Sequence, residues 1–191
     1  SIMPDDAKAA LYALAVRHDV PIIEDDVYGE LCFDGARPRP IKAWDKDGRV
    51  LLCGSVSKTL APGYRVGWIA PGRYQDDIER LKFSQSLACP TLTGMAVAEM
   101  LSSGSYDRHL RQLRASLRRN RQQMAEAITA YFPGSSRLNH PNGGLTLWVE
   151  LAAQISAQRL FDGALREGIL VAPGRLFSNS DRYEHFVRLN C

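Results

Sequence analysis

The sequence lacks any closely spaced pair of cysteines. Its four cysteines, Cys32, Cys53, Cys89 and Cys191, are scattered along the 191 residues. This spacing excludes a Cys-x-x-Cys zinc or redox site and argues against a disulfide framework, so we expect reduced thiols in a cytoplasmic protein. The four histidines are also dispersed, and we expect no metal site.

Long apolar runs and strong charge are absent as well. No run approaches the roughly 18 residues that a membrane-spanning helix needs, and the N-terminus lacks the charged and apolar regions of a signal peptide. A net charge of +3 is too small to indicate nucleic-acid binding on its own. The composition, 45% hydrophobic and 24% charged, is that of an ordinary globular protein. Because the chain begins without Met just ahead of a predicted helix, and ends directly after a strand-like run, we expect it to be a fragment.

The pattern of apolar residues predicts an α/β first part and an α+β second part. Strands are predicted at residues 20–23, 49–53, 66–70, 145–151 and 169–172 and around Arg188. Helices are predicted at residues 4–18, 74–87, 92–101, 106–132 and 157–167. Short apolar strands separated by helices and loops are typical of a mostly parallel sheet. We therefore predict two domains, residues 1–104 and 105–191.

Polar side chains cluster where the predicted strands of the first part end or begin. They are Asp25, Asp26 and Tyr28 after the first strand, Ser55, Ser57 and Lys58 after the second, and Arg65 before the third. Ligands of open α/β sheets bind at the carboxyl ends of the strands. We therefore expect an acid, a phenol, a lysine, hydroxyls and an arginine to meet in one crevice.

Pyridoxal 5′-phosphate (PLP) requires this set of groups. Its aldehyde needs a lysine, and its pyridine nitrogen needs a carboxylate that keeps the ring protonated. Its phenolate oxygen needs a hydrogen-bond donor, which Tyr28 supplies in this interpretation. Its phosphate needs hydroxyls and a cation, and arginine offers a planar fork of donors. A P-loop is the weaker alternative, because Ser57 stands where that motif has a glycine before its lysine.

Residues 22–28 (IIEDDVY) and 54–67 (GSVSKTLAPGYRVG) resemble the cofactor motifs of type I aminotransferases, and most closely the C-terminal domain of MocR-type members of the GntR regulators. The resemblance implies the fold type I PLP-dependent transferase fold and an aldimine between PLP and Lys58. It also implies that Asp25, rather than Asp26, pairs with the pyridine nitrogen. The phosphate is then expected to face three residues, Ser55, Ser57 and Arg65.

Two later segments resemble motifs of the family's small C-terminal domain. They are residues 141–148 (PNGGLTLW) and residues 173–178 (PGRLFS), the latter followed by 187–190 (VRLN). The resemblance implies that Arg188 binds the α-carboxylate of an amino acid, whereas Trp148 and Phe177 are expected in the core. The family also has a first phosphate-binding loop, an aromatic residue that stacks on the cofactor and, in the regulators, a winged helix-turn-helix. These features are expected upstream of this chain.

The resemblance leaves two main functions open, because both use the same residues. The leading hypothesis is the effector domain of a PLP-binding transcriptional regulator, which binds an amino acid or amine, acts as a homodimer and contacts DNA through the upstream domain. The alternative is an active aminotransferase of the α-aminoadipate or kynurenine type, in which Lys58 also moves a proton as general acid and base. A PLP-free binding module is the third possibility.

A basic stripe follows the long predicted helix at three- and four-residue spacing. It consists of Arg108, Arg111, Arg114, Arg118 and Arg121. Contact with DNA is one interpretation of such a stripe. We expect instead a solvated helix face or a docking surface for another domain.

Overall fold

The structure, a computed structural model, describes residues 2–33 and 37–191. It divides into two compact units, one ending at Arg114 and the other beginning at Ala115. The division falls inside one long helix, Ser105–Tyr131, and the boundary between residues 104 and 105 stays a prediction. Within the described ranges, no helix has both the length and the apolar character that crossing a bilayer requires.

In its described residues, the first unit contains three strands, with helices before the first strand and after the last, besides short 3-10 turns. The elements are α1 (Asp5–Arg17), β1 (Ile22–Asp25), β2 (Val50–Ser55), β3 (Gly67–Ala70), α2 (Gln75–Ser86), α3 (Thr91–Ser102) and the first turns of α4 (Ser105–Tyr131). Each begins and ends within two residues of its predicted bounds. The apolar runs therefore suffice to place them.

The three strands form one sheet in the order β1-β2-β3. Strands β1 and β2 are parallel, as expected, but β3 runs antiparallel to β2. Only residues 56–66 connect β2 to β3, and a parallel crossover needs about a dozen residues or more, usually with a helix. Half of the strand pairing in this sheet is thus antiparallel, a larger share than a mostly parallel sheet implies.

A buried arginine joins the end of α1 to the start of β2. Arg49 is only 4% exposed, and its guanidinium donates to the carbonyl oxygens of Ala15 at 3.0 Å and Val20 at 3.1 Å. Its Nε also donates to the Asp47 carboxylate at 2.8 Å, and this hydrogen bond lowers the pKa of Asp47 to about 2. Arg49 therefore satisfies backbone carbonyls where β2 enters the sheet.

The second unit is an antiparallel sheet packed against helices. Its elements after α4 are β4 (Arg137–Leu138), β5 (Thr146–Glu150), α5 (Ala157–Arg166), β6 (Ala172–Pro173) and β7 (Phe186–Asn190), and the strand order is β4-β5-β7-β6. Leu147, Val149 and Val187 are at most 1% exposed and form its core with Ile128 of α4. The strand predicted at residues 169–172 is largely wrong, because only Ala172 of that range pairs with β7.

Gly174 provides a stability test for this unit, because it lies where β6 ends and two backbone segments come close together. A Cβ at this position would lie 2.2 Å from the carbonyl oxygen of Tyr183 and 2.9 Å from that of Phe186. We expect Gly174→Ala to lower the free energy of unfolding by about 1–3 kcal/mol, measured by urea denaturation. The control is Gly134→Ala, where a Cβ meets nothing within 4 Å. Equal stability of the two variants would contradict the prediction.

Candidate functional site

Asp25 and Asp26 follow each other at the end of β1 but have different surroundings. Along β1, Ile23 and Asp25 are exposed while Ile22 and Glu24 are partly buried, which is the alternation of a strand. The Asp25 carboxylate accepts one backbone N–H, from Val27 at 3.3 Å. It is therefore exposed and open to a ligand.

Asp26 instead belongs to an ion-pair network. Its carboxylate pairs with Arg37, whose Nε also donates to Glu30 at 2.6 Å. Glu30 pairs in turn with Arg114 of α4 at 3.1 Å. Burial raises the pKa of Asp26, and the guanidinium of Arg37 opposes that shift. Among the described residues, the network gives Asp26 an ion-pair partner that Asp25 does not have.

The end of β2 carries two hydroxyl groups that bond to each other. The Oγ atoms of Ser55 and Ser57 are 2.8 Å apart, and Ser55 Oγ accepts the backbone N–H of Ser57 at 3.0 Å. Ser55 Oγ also donates to the carbonyl oxygen of Val66 at 2.9 Å. Since Val66 directly precedes β3, this bond brings Arg65 next to the two serines in the fold.

Arg65 has a strained backbone. Its φ of 54° and ψ of 36° lie in the left-handed region, which costs a residue other than glycine about 1–2 kcal/mol. Non-glycine residues adopt this conformation at functional sites and also at the ends of helical turns, and Arg65 ends the turn Pro62–Tyr64. The guanidinium is exposed and donates to the carbonyl oxygen of Pro62 at 3.2 Å. The side chain is therefore accessible to a ligand.

Lys58 lies in the turn after β2 and faces Tyr28 from the turn after β1. Its Nζ is 5.8 Å from the centroid of the Tyr28 ring, and both side chains are exposed. Thr59, the next residue, is only 2% exposed. The accessible amine of Lys58 is thus directly followed by a buried residue, Thr59, which anchors the turn.

That anchor involves residues that the sequence analysis missed. Tyr106 of α4 donates from its hydroxyl to Thr59 Oγ1 at 2.9 Å, and His109 Nε2 lies 2.7 Å from the Thr59 carbonyl oxygen. Burial raises the pKa of Tyr106, so its phenol keeps the proton that it donates. The one available signal was a Tyr and a His three residues apart at the start of an otherwise Arg-rich helix.

Arg188 lies in the second unit, on the sheet face opposite the core. It pairs in register with Trp148 of β5, and its guanidinium stacks 4.8 Å from the centroid of the Phe177 ring. Trp148 contacts the rings of Phe177, Tyr183 and Phe186 at 5.3–5.5 Å. Phe177 is 42% exposed, so the expectation that it is a core residue is wrong. Together the rings form a platform under an exposed arginine.

The first unit therefore presents a defined set of polar groups, here called the strand-end set. Its members are Asp25, Tyr28, Ser55, Ser57, Lys58 and Arg65. The set offers an exposed carboxylate, a phenol, an amine, two hydroxyls and a guanidinium, all at the ends of neighbouring strands. These groups match the ring nitrogen, phenolate, aldehyde and phosphate of PLP in number and in chemical type. The residues present thus fit that cofactor.

Comparison with known proteins gives the same family along the whole chain. The sequence profile of the family described as aminotransferase class I and II matches residues 1–191. Two HTH-type transcriptional regulators of Escherichia coli K12, both described as uncharacterized, are similar in sequence. The chain is 46% identical over 190 residues to YjiR and 40% identical over 183 residues to YdcR.

A solved enzyme has a similar fold. It is LysN, the α-aminoadipate aminotransferase of Thermus thermophilus, in complex with N-(5′-phosphopyridoxyl)-L-leucine. The TM-score is 0.91 at 30% sequence identity, over 100% of this chain and 50% of LysN. The chain spans only 40% of YjiR and 39% of YdcR.

The different surroundings of the two aspartates lead to a test. We expect Asp25→Asn to weaken PLP binding by the full-length protein at least about tenfold, because asparagine cannot form an ion pair with the protonated pyridine nitrogen. A change of one unit in the pKa of that nitrogen corresponds to about 1.36 kcal/mol. Asp26→Asn is the matched control, and it should change PLP affinity less while lowering stability through loss of the Arg37 pair. Equilibrium dialysis measures the first effect and urea denaturation the second. A larger loss of PLP affinity in Asp26→Asn would overturn the assignment.

Proposed function

Because the chain belongs to the class I and II aminotransferase family, we propose that it is the PLP-binding effector domain of a GntR/MocR-type transcriptional regulator. The observation that carries the proposal is the strand-end set around the exposed Lys58. The similarity to YjiR and YdcR favours a regulator over an enzyme, because both are described as HTH-type transcriptional regulators and share 46% and 40% of their aligned residues with this chain.

In this proposal the strand-end set holds PLP. Lys58 would hold its aldehyde, Asp25 would pair with its protonated ring nitrogen, and Tyr28 would donate to its phenolate oxygen. Ser55, Ser57 and Arg65 bind its phosphate with charge-assisted hydrogen bonds. When bound, PLP supplies an aldehyde that condenses with amines and a ring that withdraws electrons.

The ligand in this proposal is an amino acid or amine. Arg188 binds a carboxylate through its guanidinium fork, and the ring of Phe177 below it keeps the fork in a fixed plane. The leucine adduct in LysN supports an amino acid as the ligand class. Ligand binding needs only to favour one of two conformations in order to act as a signal.

The partners follow from the proposed role. DNA is bound through a winged helix-turn-helix outside this chain, and two copies form a homodimer. The location is the cytoplasm, where a regulator has access to DNA.

A working aminotransferase is the second candidate, and the similarity to LysN favours it. In that role the Nζ of Lys58, released when the substrate's amino group takes its place, would also hold the proton taken from the Cα of the substrate. This role requires the amine to come within about 3 Å of that proton. The two functions therefore share one site and differ in turnover.

The position of Lys58 predicts where PLP attaches. Borohydride reduction of the PLP-loaded, full-length protein, followed by peptide mapping, should place the label on Lys58. Lys42 is already engaged, since its Nζ donates to Asp45 at 2.8 Å and to the carbonyl oxygen of Val50 at 2.6 Å. Label on Lys42, Lys46 or Lys82 with none on Lys58 would refute the assignment.

Arg188 and turnover together separate regulator from enzyme. We expect a carboxylated amine to change the absorption of bound PLP with little or no release of keto acid. Arg188→Gln should abolish this response and leave the PLP band of the unliganded protein intact. The control is Arg182→Gln, because Arg182 is also exposed and lies 5.2 Å from the centroid of the Tyr183 ring. Sustained multiple turnover with a keto acid acceptor would instead favour the aminotransferase.

A further inference from the structure

The turn that carries Lys58 is fixed by more than its own backbone. Within the turn, the backbone N–H groups of Thr59 and Leu60 donate to the carbonyl oxygen of Val56 at 3.2 and 2.8 Å. From outside, α4 reaches both the side chain and the backbone of Thr59, through Tyr106 and His109. Because a carbonyl oxygen only accepts, the His109 ring carries its proton on Nε2 in this contact. Thr59 is therefore held at two separate points.

The same helix also holds the loop that carries Tyr28. Arg114 donates from Nε to the carbonyl oxygen of Glu30 at 2.6 Å and pairs with its carboxylate at 3.1 Å. The N–H of Leu31 donates to the carbonyl oxygen of Tyr28 at 2.9 Å, which links this contact to Tyr28 itself. One continuous helix thus bonds to residues beside Lys58 and beside Tyr28.

Rigid support matters here because a lysine side chain is long and flexible. Lys58 has a four-carbon stem and several rotatable bonds, so the position of its amine depends on how firmly its Cα is held. An amine that must meet one atom of a bound cofactor gains affinity when its backbone is already fixed, since less freedom is lost on binding. In the described residues, the backbone at Lys58 is held in place through the contacts of its neighbour Thr59.

We propose that Tyr106, His109 and Arg114 are positioning residues, which hold the Lys58 turn and the Tyr28 loop at the separation that PLP binding requires. The assignment rests on the proposed function, because it concerns the same site. These three residues act through Thr59 and Glu30, without touching the cofactor. Their effect should therefore appear in the affinity and the absorption of bound PLP.

The first test removes single hydroxyl groups. Tyr106→Phe and Thr59→Val each delete one partner of the 2.9 Å bond. In the full-length protein each should weaken PLP binding by about 3–10-fold, the range of one net hydrogen bond, and shift the pH titration of the PLP band. The double variant should be no weaker than the weaker single variant, because both remove one interaction. Thr59→Ser keeps the hydroxyl and should bind PLP as the wild type does. Tyr131→Phe, at an 86% exposed position on the same helix, should have no effect.

The second test concerns the other two contacts. His109→Gln retains an N–H donor and should bind PLP nearly as the wild type does, whereas His109→Leu should weaken binding and shift the band. Arg114→Gln should weaken PLP binding in the same range as Tyr106→Phe, because it releases the Tyr28 side of the site. Unfolding in urea, measured without PLP, separates these effects from a general loss of stability.

A further measurement distinguishes failure of this assignment from failure of the proposed function. The rate at which trinitrobenzenesulfonate labels Lys58 in the PLP-free protein reports the position of the amine without the cofactor. If PLP affinity, the titration of its band and the labelling rate all equal those of the wild type in Tyr106→Phe, Thr59→Val and His109→Leu, the assignment is overturned. If the wild type binds no PLP, the proposed function fails, and the labelling rate alone decides: a change supports positioning and an unchanged rate overturns it.

Discussion

Strand β2 pairs with β1 on one side and with β3 on the other, and the candidate site depends on this double pairing. The parallel pairing aligns Asp25 with Cys53, so the two strands end side by side. The antiparallel pairing aligns Ser55 with Gly67, so the start of β3 returns to the point where β2 ends. Acid and phenol come from one neighbour and the guanidinium from the other. A parallel β3 would begin at the opposite edge of the sheet and carry Arg65 away from the serines.

Much of this arrangement could be predicted from sequence because it is local. Apolar runs define the strands, and the spacing of polar residues after them brings Asp25, Lys58 and Arg65 to one sheet edge. The strand pattern does not give the direction of β3, whereas the short connection of residues 56–66 argues against a parallel crossover. The length of a connection thus indicates the direction of a strand, which the pattern of apolar residues does not.

The contacts that support the site could not be predicted in the same way. The bond between Tyr106 and Thr59 joins residues 47 positions apart, and that between Arg114 and Glu30 joins residues 84 apart. No periodicity relates such partners, since each depends on how α4 lies against the turn after β2 and the loop after β1. The basic stripe on α4, expected to be a solvated face or a docking surface, is interrupted: Arg114 bonds to Glu30, and Arg121 donates to the carbonyl oxygen of Pro141.

In two places in the candidate site, an exposed residue is followed directly by a residue that is held by several contacts. Exposed Asp25 is followed by Asp26, which is tied into an ion-pair network, and exposed Lys58 is followed by Thr59, which is buried and doubly bonded. A group that binds a ligand has to remain accessible, so burial cannot fix it directly. Fixing the next residue restrains the binding residue instead, because the planar peptide unit between the two residues is rigid. In this way, side chains at the ends of the strands can remain exposed while their backbone is held in place.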